Sequence, residues 1–169
     1  MTDLGIRLAT ESDLPAIREI YNHYVHTSTA TFQLDPDTET ERLAWFRGRG
    51  EKHPATVAVI DGEVVGWGSL STWKERAAYD RTVEASVYVR EGYFHRGIGR
   101  ALLVDLIERA RTLGHRVVIG GACTEHPASI ALQASLGFIP VGTFRAVGSK
   151  FGRWLDVTYL QLVLPERDA

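Results

Sequence analysis

Apolar positions along the chain switch between a period of about two and a period near 3.6, and each switch marks an element. Residues 5–9 read as a short first strand. Leu14, Ile17, Tyr21, Tyr24 and Val25 then recur at helical intervals, behind Thr10 and Asp13 in capping-box spacing and with Pro15 close by, so a helix follows. Residues 38–50 predict a second helix, with Leu43 and either Trp45 or Phe46 on its apolar stripe and Gly50 as its stop. The β-branched runs 56–60 and 64–70 flank Asp61-Gly62, a pair that tolerates positive φ, and predict a hairpin. Over residues 82–89 Val83, Ala85, Val87 and Val89 face one side, while Thr82, Glu84, Ser86 and Tyr88 face the other. From 97 to 114 the pattern turns helical around Leu102, Leu103, Leu106, Ile107, Ala110 and Leu113, and Gly114 ends it.

A strand at 116–119, a short helix at 128–136 closed by Gly137, and two strands at about 138–147 and 154–163, joined through 149–153, complete the series. This order predicts an α/β (α+β) fold: one domain spanning 1–169, with a mixed central sheet of about seven strands flanked by about four helices. No repeat, low-complexity tract or shift of charge between the halves marks a boundary.

With 169 residues, 44% of them hydrophobic, the chain can build one sizeable core. Charged residues make up 24%, both signs are interleaved and the net charge is -2, so no basic field favours nucleic acid or an anionic membrane. The only cysteine, Cys123, excludes an intramolecular disulfide and a four-thiolate metal site. Residues 1–10 carry no apolar run, and no stretch has the length of a membrane span, so a cytoplasmic, reducing setting is expected.

The densest chemical signal is Val87-Tyr88-Val89 followed, seven residues on, by Gly97-Ile98-Gly99 at the start of an amphipathic helix. Such a turn gathers backbone N–H groups beside the positive end of a helix dipole, which suits a pyrophosphate. The same glycines also serve a tight strand-to-helix turn with no ligand. A P-loop is excluded because Arg100-Ala101 follows the glycines, and a dinucleotide fingerprint because Leu102 replaces its third glycine. Glu84, opposite Val83, Ala85 and Val87, either faces water or stands in a cleft beside Tyr88; in a cleft it could accept the proton of an ammonium nucleophile. Lys74 and Arg76, ahead of Tyr79 on the linker to that strand, are either solvated charges or a grip for a carboxylate, phosphinyl or sulfonyl group.

The string VYVREGYFHRGIGRALL, followed by HPASIALQASLGF, resembles the GNAT superfamily of N-acetyltransferases. IYNHYV with STATF, WKERAAYDRTVEASVYV and VGSKFGRWLDVTYLQL resemble its branch of phosphinothricin, methionine sulfone and methionine sulfoximine acetyltransferases, so the likeness runs from about residue 6 to 164. It implies acetyl-coenzyme A as co-substrate, no metal, and a small amino-acid-like acceptor whose α-amine attacks directly in a ternary complex. The Val87 to Val89 strand, Tyr88 between them, would meet the pantetheine arm. Arg96, Gly97, Ile98, Gly99 and Arg100 would hold the diphosphate, with His95 either adding charge or solvated, and His126 and Ser129 would line the cofactor end. Glu84 matches the branch's general base. Phe32 and Tyr88 would wall the acceptor pocket near Lys74, Arg76 and Tyr79, and the segment 147–151, with Lys150 and Phe151, would close a neighbour's pocket across a homodimer.

Three positions depart from the pattern. Phe94 replaces an Arg or Gln, His126 replaces an Asn, and Gln133 stands where some relatives carry a Tyr or His that protonates the leaving thiolate. An amide is no general acid, so none is assigned; a thiolate, with a pKa near 8.5, can depart without one. The departures keep open a non-catalytic coenzyme-A-binding sensor, and the acceptor could instead be a protein N-terminus, a polyamine or an aminoglycoside. His23 and His26 share a helix face but lack a third ligand for a metal, and Ser86, Ser129 and Cys123 have no triad partners.

Overall fold

The computed structural model describes residues 3–166. β1 (Leu4–Leu8) leads through a short 3-10 turn into α1 (Leu14–Thr27). Asp13 fixes that junction: its carboxylate accepts the Thr10 N–H at 2.8 Å and both terminal nitrogens of Arg7 at 2.7 and 2.9 Å. α2 (Glu39–Arg47) begins at Thr38, whose side chain and that of Glu41 cap each other's backbone, and ends at Gly48, slightly before the expected stop. β2 (Ala55–Ile60) and β3 (Glu63–Thr72) form the expected hairpin, with Asp61 and Gly62 at φ 51° and 82°. β4 (Thr82–Val89), α3 (Ile98–Thr112), β5 (Val117–Cys123), α4 (Pro127–Ser135), β6 (Ile139–Lys150) and β7 (Arg153–Val163) follow.

The seven strands form one sheet in the order β1-β2-β3-β4-β5-β7-β6, antiparallel everywhere except between β4 and β5. The apolar stripe of α3 packs Leu103, Leu106 and Ala110 against Leu70, Val83, Val118 and Leu160 on one face. Ile17 and Ile20 of α1 pack against Val57 and Trp67 on the other. Fold class, strand number and helix number thus agree with the sequence pattern. None of these helices is long and apolar enough to cross a membrane.

One boundary differs in a way that builds the site. The pattern ends the fifth strand at 119, yet β5 continues through Gly120, Gly121 and Ala122 to Cys123, paired along its whole length with β7. The glycines read as breakers, but here they make room. A Cβ on Gly120 would sit 1.8 Å from Oε1 of Gln133, and one on Gly121 would sit 2.9 Å from Cε1 of Tyr159. β6 and β7 likewise run on to a two-residue turn, Phe151-Gly152 at φ 53° and 74°, where a longer loop was expected.

Candidate active site

β4 and β5 pair over only three positions, Thr82 with Val117, Val83 with Val118 and Glu84 with Ile119. Beyond Glu84 the two strands part, while β4 stays paired to β3 on its other edge as far as Val89. Peptide groups alternate between the two edges of a strand. Arg90 donates its N–H toward β3, to Val65 O at 2.8 Å. Val89 points the other way and is taken by α1, because the Tyr24 hydroxyl donates to its carbonyl at 2.7 Å. Val87 shares the orientation of Val89, so its peptide faces the opening between the strands. Of the two valines expected to offer main-chain bonds, only Val87 is open.

Below the opening, α3 starts with bare amides. Gly97 is its N-cap at φ 76° and makes no side-chain cap, no acidic residue occupies the first turn, and the first helical bond is Ala101 N–H to Gly97 O at 2.9 Å. The N–H groups of Ile98, Gly99 and Arg100 therefore point out of the helix end with the positive pole of its dipole behind them. His95 is also left-handed, at φ 61°, and bends the preceding chain around the same spot. Ile98 is buried, His95, Arg96 and Arg100 are exposed, and Arg96 lies over the Tyr93 ring at 5.0 Å. Uncapped amides in this arrangement suit an anion.

Glu84 stands where the strands separate, half-buried, on the face away from α3. No hydrogen bond or ion pair from a described residue neutralises it, and burial alone raises its pKa above the usual carboxylate value. On the same face Tyr88 packs against Tyr21, Tyr24 and Trp67 at ring separations of 4.9–5.3 Å, and burial pushes its phenol well above its ordinary value. A cavity of about 480 Å³ opens here, floored by Ser69, Ser71, Ser86 and Tyr88 and roofed by Arg42 and Trp45 of α2. Ser71 is the cross-strand partner of Glu84, so cavity and carboxylate adjoin.

The remaining predicted residues divide. Lys74, Arg76 and Tyr79 are exposed on the connection before β4, and Lys74 and Arg76 have no ion-pair partner among the described residues. Phe32 lies against β6, where a Cβ on Gly148 would come 2.2 Å from its ring. Ser129 is exposed, and Gln133 Nε2 reaches its Oγ at 3.5 Å. His126, expected at the cofactor end, bonds Thr29 Oγ1 at 2.8 Å and ties α4 to the segment after α1. Lys150, expected on the segment that closes a neighbour's pocket, is held inside its own chain. It is 4% exposed, and its ammonium donates to the carbonyls of Ser28 at 2.7 Å and Thr31 at 2.9 Å. It clamps the segment after α1 of its own chain. Phe151, at the hairpin tip, is exposed. Sequence reasoning missed Tyr24, read only as helix apolar stripe, and Arg42, a charged residue on a short helix that nothing local marks as buried.

Residues 17–138 match the sequence model of the Acetyltransferase (GNAT) family. The chain belongs to this family. It is an acetyltransferase by that membership, and the resemblance in its motifs holds over nearly its full length. The L-methionine sulfoximine/L-methionine sulfone acetyltransferase of Salmonella typhimurium is 42% identical over 168 residues, 98% of either chain. The L-amino acid N-acyltransferase MnaT of Escherichia coli is 40% identical over 165 residues, 97% of this chain and 96% of the other. Among solved structures, the yncA protein of Salmonella typhimurium with its cofactor acetyl-CoA superposes with a TM-score of 0.93 at 40% identity, covering 98% of this chain and 96% of that one.

Proposed function

We propose that residues 1–169 act as one N-acetyltransferase domain that moves the acetyl group of acetyl-coenzyme A to the α-amine of a small amino-acid-like acceptor, by direct attack in a ternary complex. The observation that carries this reading is an unpaired, half-buried carboxylate, Glu84, at the point where β4 and β5 part. The relatives named above act on L-amino acids or on methionine sulfone and sulfoximine, and one related structure holds acetyl-CoA.

The residues present fit the coenzyme. Ile98, Gly99 and Arg100 would give their free amides to its diphosphate, with Arg96 and Arg100 adding charge, and the open Val87 peptide would meet the pantetheine arm. The coenzyme supplies an acetyl thioester, whose carbonyl carbon takes the amine lone pair and whose thiolate leaves. Glu84 accepts the proton that the ammonium must lose, directly or through one water, and its raised pKa brings it closer to the base strength that this task needs. The Val87 N–H is the donor for oxygen charge developing at the carbonyl. Lys74 and Arg76, without an ion-pair partner among the described residues, would hold the acceptor's carboxylate, with Tyr79 beside them and Phe32 toward β6. Gln133 provides no acid.

Thiol release measured with a panel of free amino acids tests this. Methionine sulfone, methionine sulfoximine or phosphinothricin is expected to release one thiol per acetylated amine. Coenzyme binding without release from any amine would leave only a binding module.

The same reading includes a homodimer. Val141, Phe144 and Trp154 on the terminal hairpin are 63%, 60% and 74% exposed, large apolar side chains on the sheet's last strand pair. Sedimentation is expected to give twice the chain mass of 18.8 kDa; the chain mass alone would remove the partner. A buried Cys123 thiol and the acceptor's chemistry fit a cytoplasmic setting.

A further inference from the structure

On the β7 side of Glu84 stands an aromatic group that no step above employs. Tyr159 of β7 pairs with Gly121 of β5. Its neighbour Leu160 belongs to the core under α3, as does Val83 next to Glu84, so Tyr159 and Glu84 share the opposite face of the sheet. Two strand spacings of about 4.8 Å separate β7 from β4. The Tyr159 ring leans into that interval, since a Cβ on Gly121 would come 2.9 Å from its Cε1 and 3.6 Å from its Cζ. It can lie over β5 only because that strand carries no side chain there.

A second ring meets it from the other direction. Trp73 follows β3, on the far side of β4, and its indole packs edge-on against Tyr159 at 5.5 Å. Phe144 of β6 backs Tyr159 at 5.8 Å. Ser71, two residues before Trp73, is the cross-strand partner of Glu84, so the two rings close over the sheet beside that carboxylate. The ammonium of Lys74 lies 5.9 Å from the centre of the Trp73 ring. One ring pair thus docks the linker that carries Lys74 and Arg76 onto β7.

The Tyr159 hydroxyl has no hydrogen-bond partner among the described residues. It is not one of the sealed polar atoms either, and the residue is only half-buried, so an incoming group can reach it. Burial and then the Glu84 carboxylate raise its pKa, so it keeps its proton at neutral pH and stays a donor. The 480 Å³ cavity, with Ser71 and Ser86 in its floor, lies on the β3 side of Glu84. An acceptor whose amine is at Glu84 therefore has two directions to fill, the cavity and the ring pair.

We infer that Tyr159 is a further acceptor-binding residue, whose hydroxyl donates to the acceptor's α-carboxylate beside Lys74, in the notch left by Gly121. This rests on the acceptor reading above, which puts the amine at Glu84. A carboxylate oxygen is the stronger partner for such a donor, and the cavity is left to the acceptor's side chain.

Methionine sulfone and its carboxamide are the probes. Each is titrated calorimetrically into the protein with coenzyme A present, so that affinity is read without turnover. Tyr159→Phe keeps the ring against Trp73 and Phe144 and deletes only an unpaired hydroxyl, so it should fold. Its acid-to-amide affinity ratio is expected to fall about fivefold, because a hydrogen bond to a charged group outweighs one to a neutral group. Gly121→Ala keeps the hydroxyl but displaces the ring, and is expected to lower the ratio in the same direction. Coenzyme A affinity should be unchanged in both. A role in packing alone would weaken the two probes alike. A ratio within twofold of wild type in Tyr159→Phe, or no sulfone binding to the wild type, overturns the assignment. Should Gly121→Ala fail to fold, Tyr159→Phe alone decides. Thiol release is measured separately: its absence with every amine, while the ratio still shifts, removes the transfer reading and leaves this one standing.

Discussion

Glu84→Gln is expected to lower kcat by about 10²- to 10⁴-fold while coenzyme A still binds, because the amide fits the same space and cannot take a proton. The carboxylate belongs to the strand floor where β4 leaves β5, so its replacement leaves the α3 end untouched. In the wild type, kcat/KM should fall on the acid side with an apparent pKa above the ordinary carboxylate value of 4.5, the direction in which burial drives this group. In the Gln variant that limb should vanish.

The same burial makes a stability statement of opposite sign to that of a salt-bridged carboxylate. With its folded-state pKa raised, Glu84 holds its proton in the native chain at pH values where the unfolded chain has released it. The native state then binds more protons, so stability falls as pH rises from about 4.5 through the raised value. Glu84→Gln should therefore be more stable than wild type at pH 7 and equal to it near pH 4. Denaturant midpoints at the two pH values check this. A variant that loses turnover yet gains stability marks a residue kept for chemistry.

The second large effect concerns the helix end. Gly99 is the second residue of α3, its φ is ordinary, and a Cβ there meets only Leu132 and Val89 side chains at 3.7 Å, an ordinary contact. Gly99→Asp should therefore fold. A carboxylate in the first turn even favours the helix, by about 0.3–1 kcal/mol. It also brings a negative charge into the cradle and competes for the amides of Ile98, Gly99 and Arg100, so coenzyme A affinity should fall on the order of a hundredfold. Unchanged affinity by calorimetry, with an unchanged thermal midpoint, would place the diphosphate elsewhere.

How much of this was legible depends on how local each feature is. The alternation over 82–89 fixes β4 residue for residue, because a strand with one face in a core must repeat every second position. The α3 stripe and the Asp61-Gly62 turn are equally local, and so is the cradle, which follows from glycine and helix start alone. The family motifs placed Glu84, but its half-buried, unpaired state comes from the sheet around it. β5 was read too short because Gly120 and Gly121 weaken a strand by themselves, and only Gln133 and Tyr159, distant in sequence, explain their absence of side chains. Tyr24 bonds a carbonyl 65 residues away, and Lys150 bonds one 122 residues away. Arg42 is the clearest case. Its helix has no strong apolar face, and a buried guanidinium among three rings exists only once α2 lies over β3 and β4.

A crystal structure with coenzyme A and methionine sulfone bound together addresses the central claim most directly. It should place the acceptor nitrogen within about 3.2 Å of a Glu84 oxygen, or one bridging water away, with the thiol in the gap between β4 and β5. An acceptor nitrogen further than one water from Glu84, with the thiol outside that gap, would contradict the account.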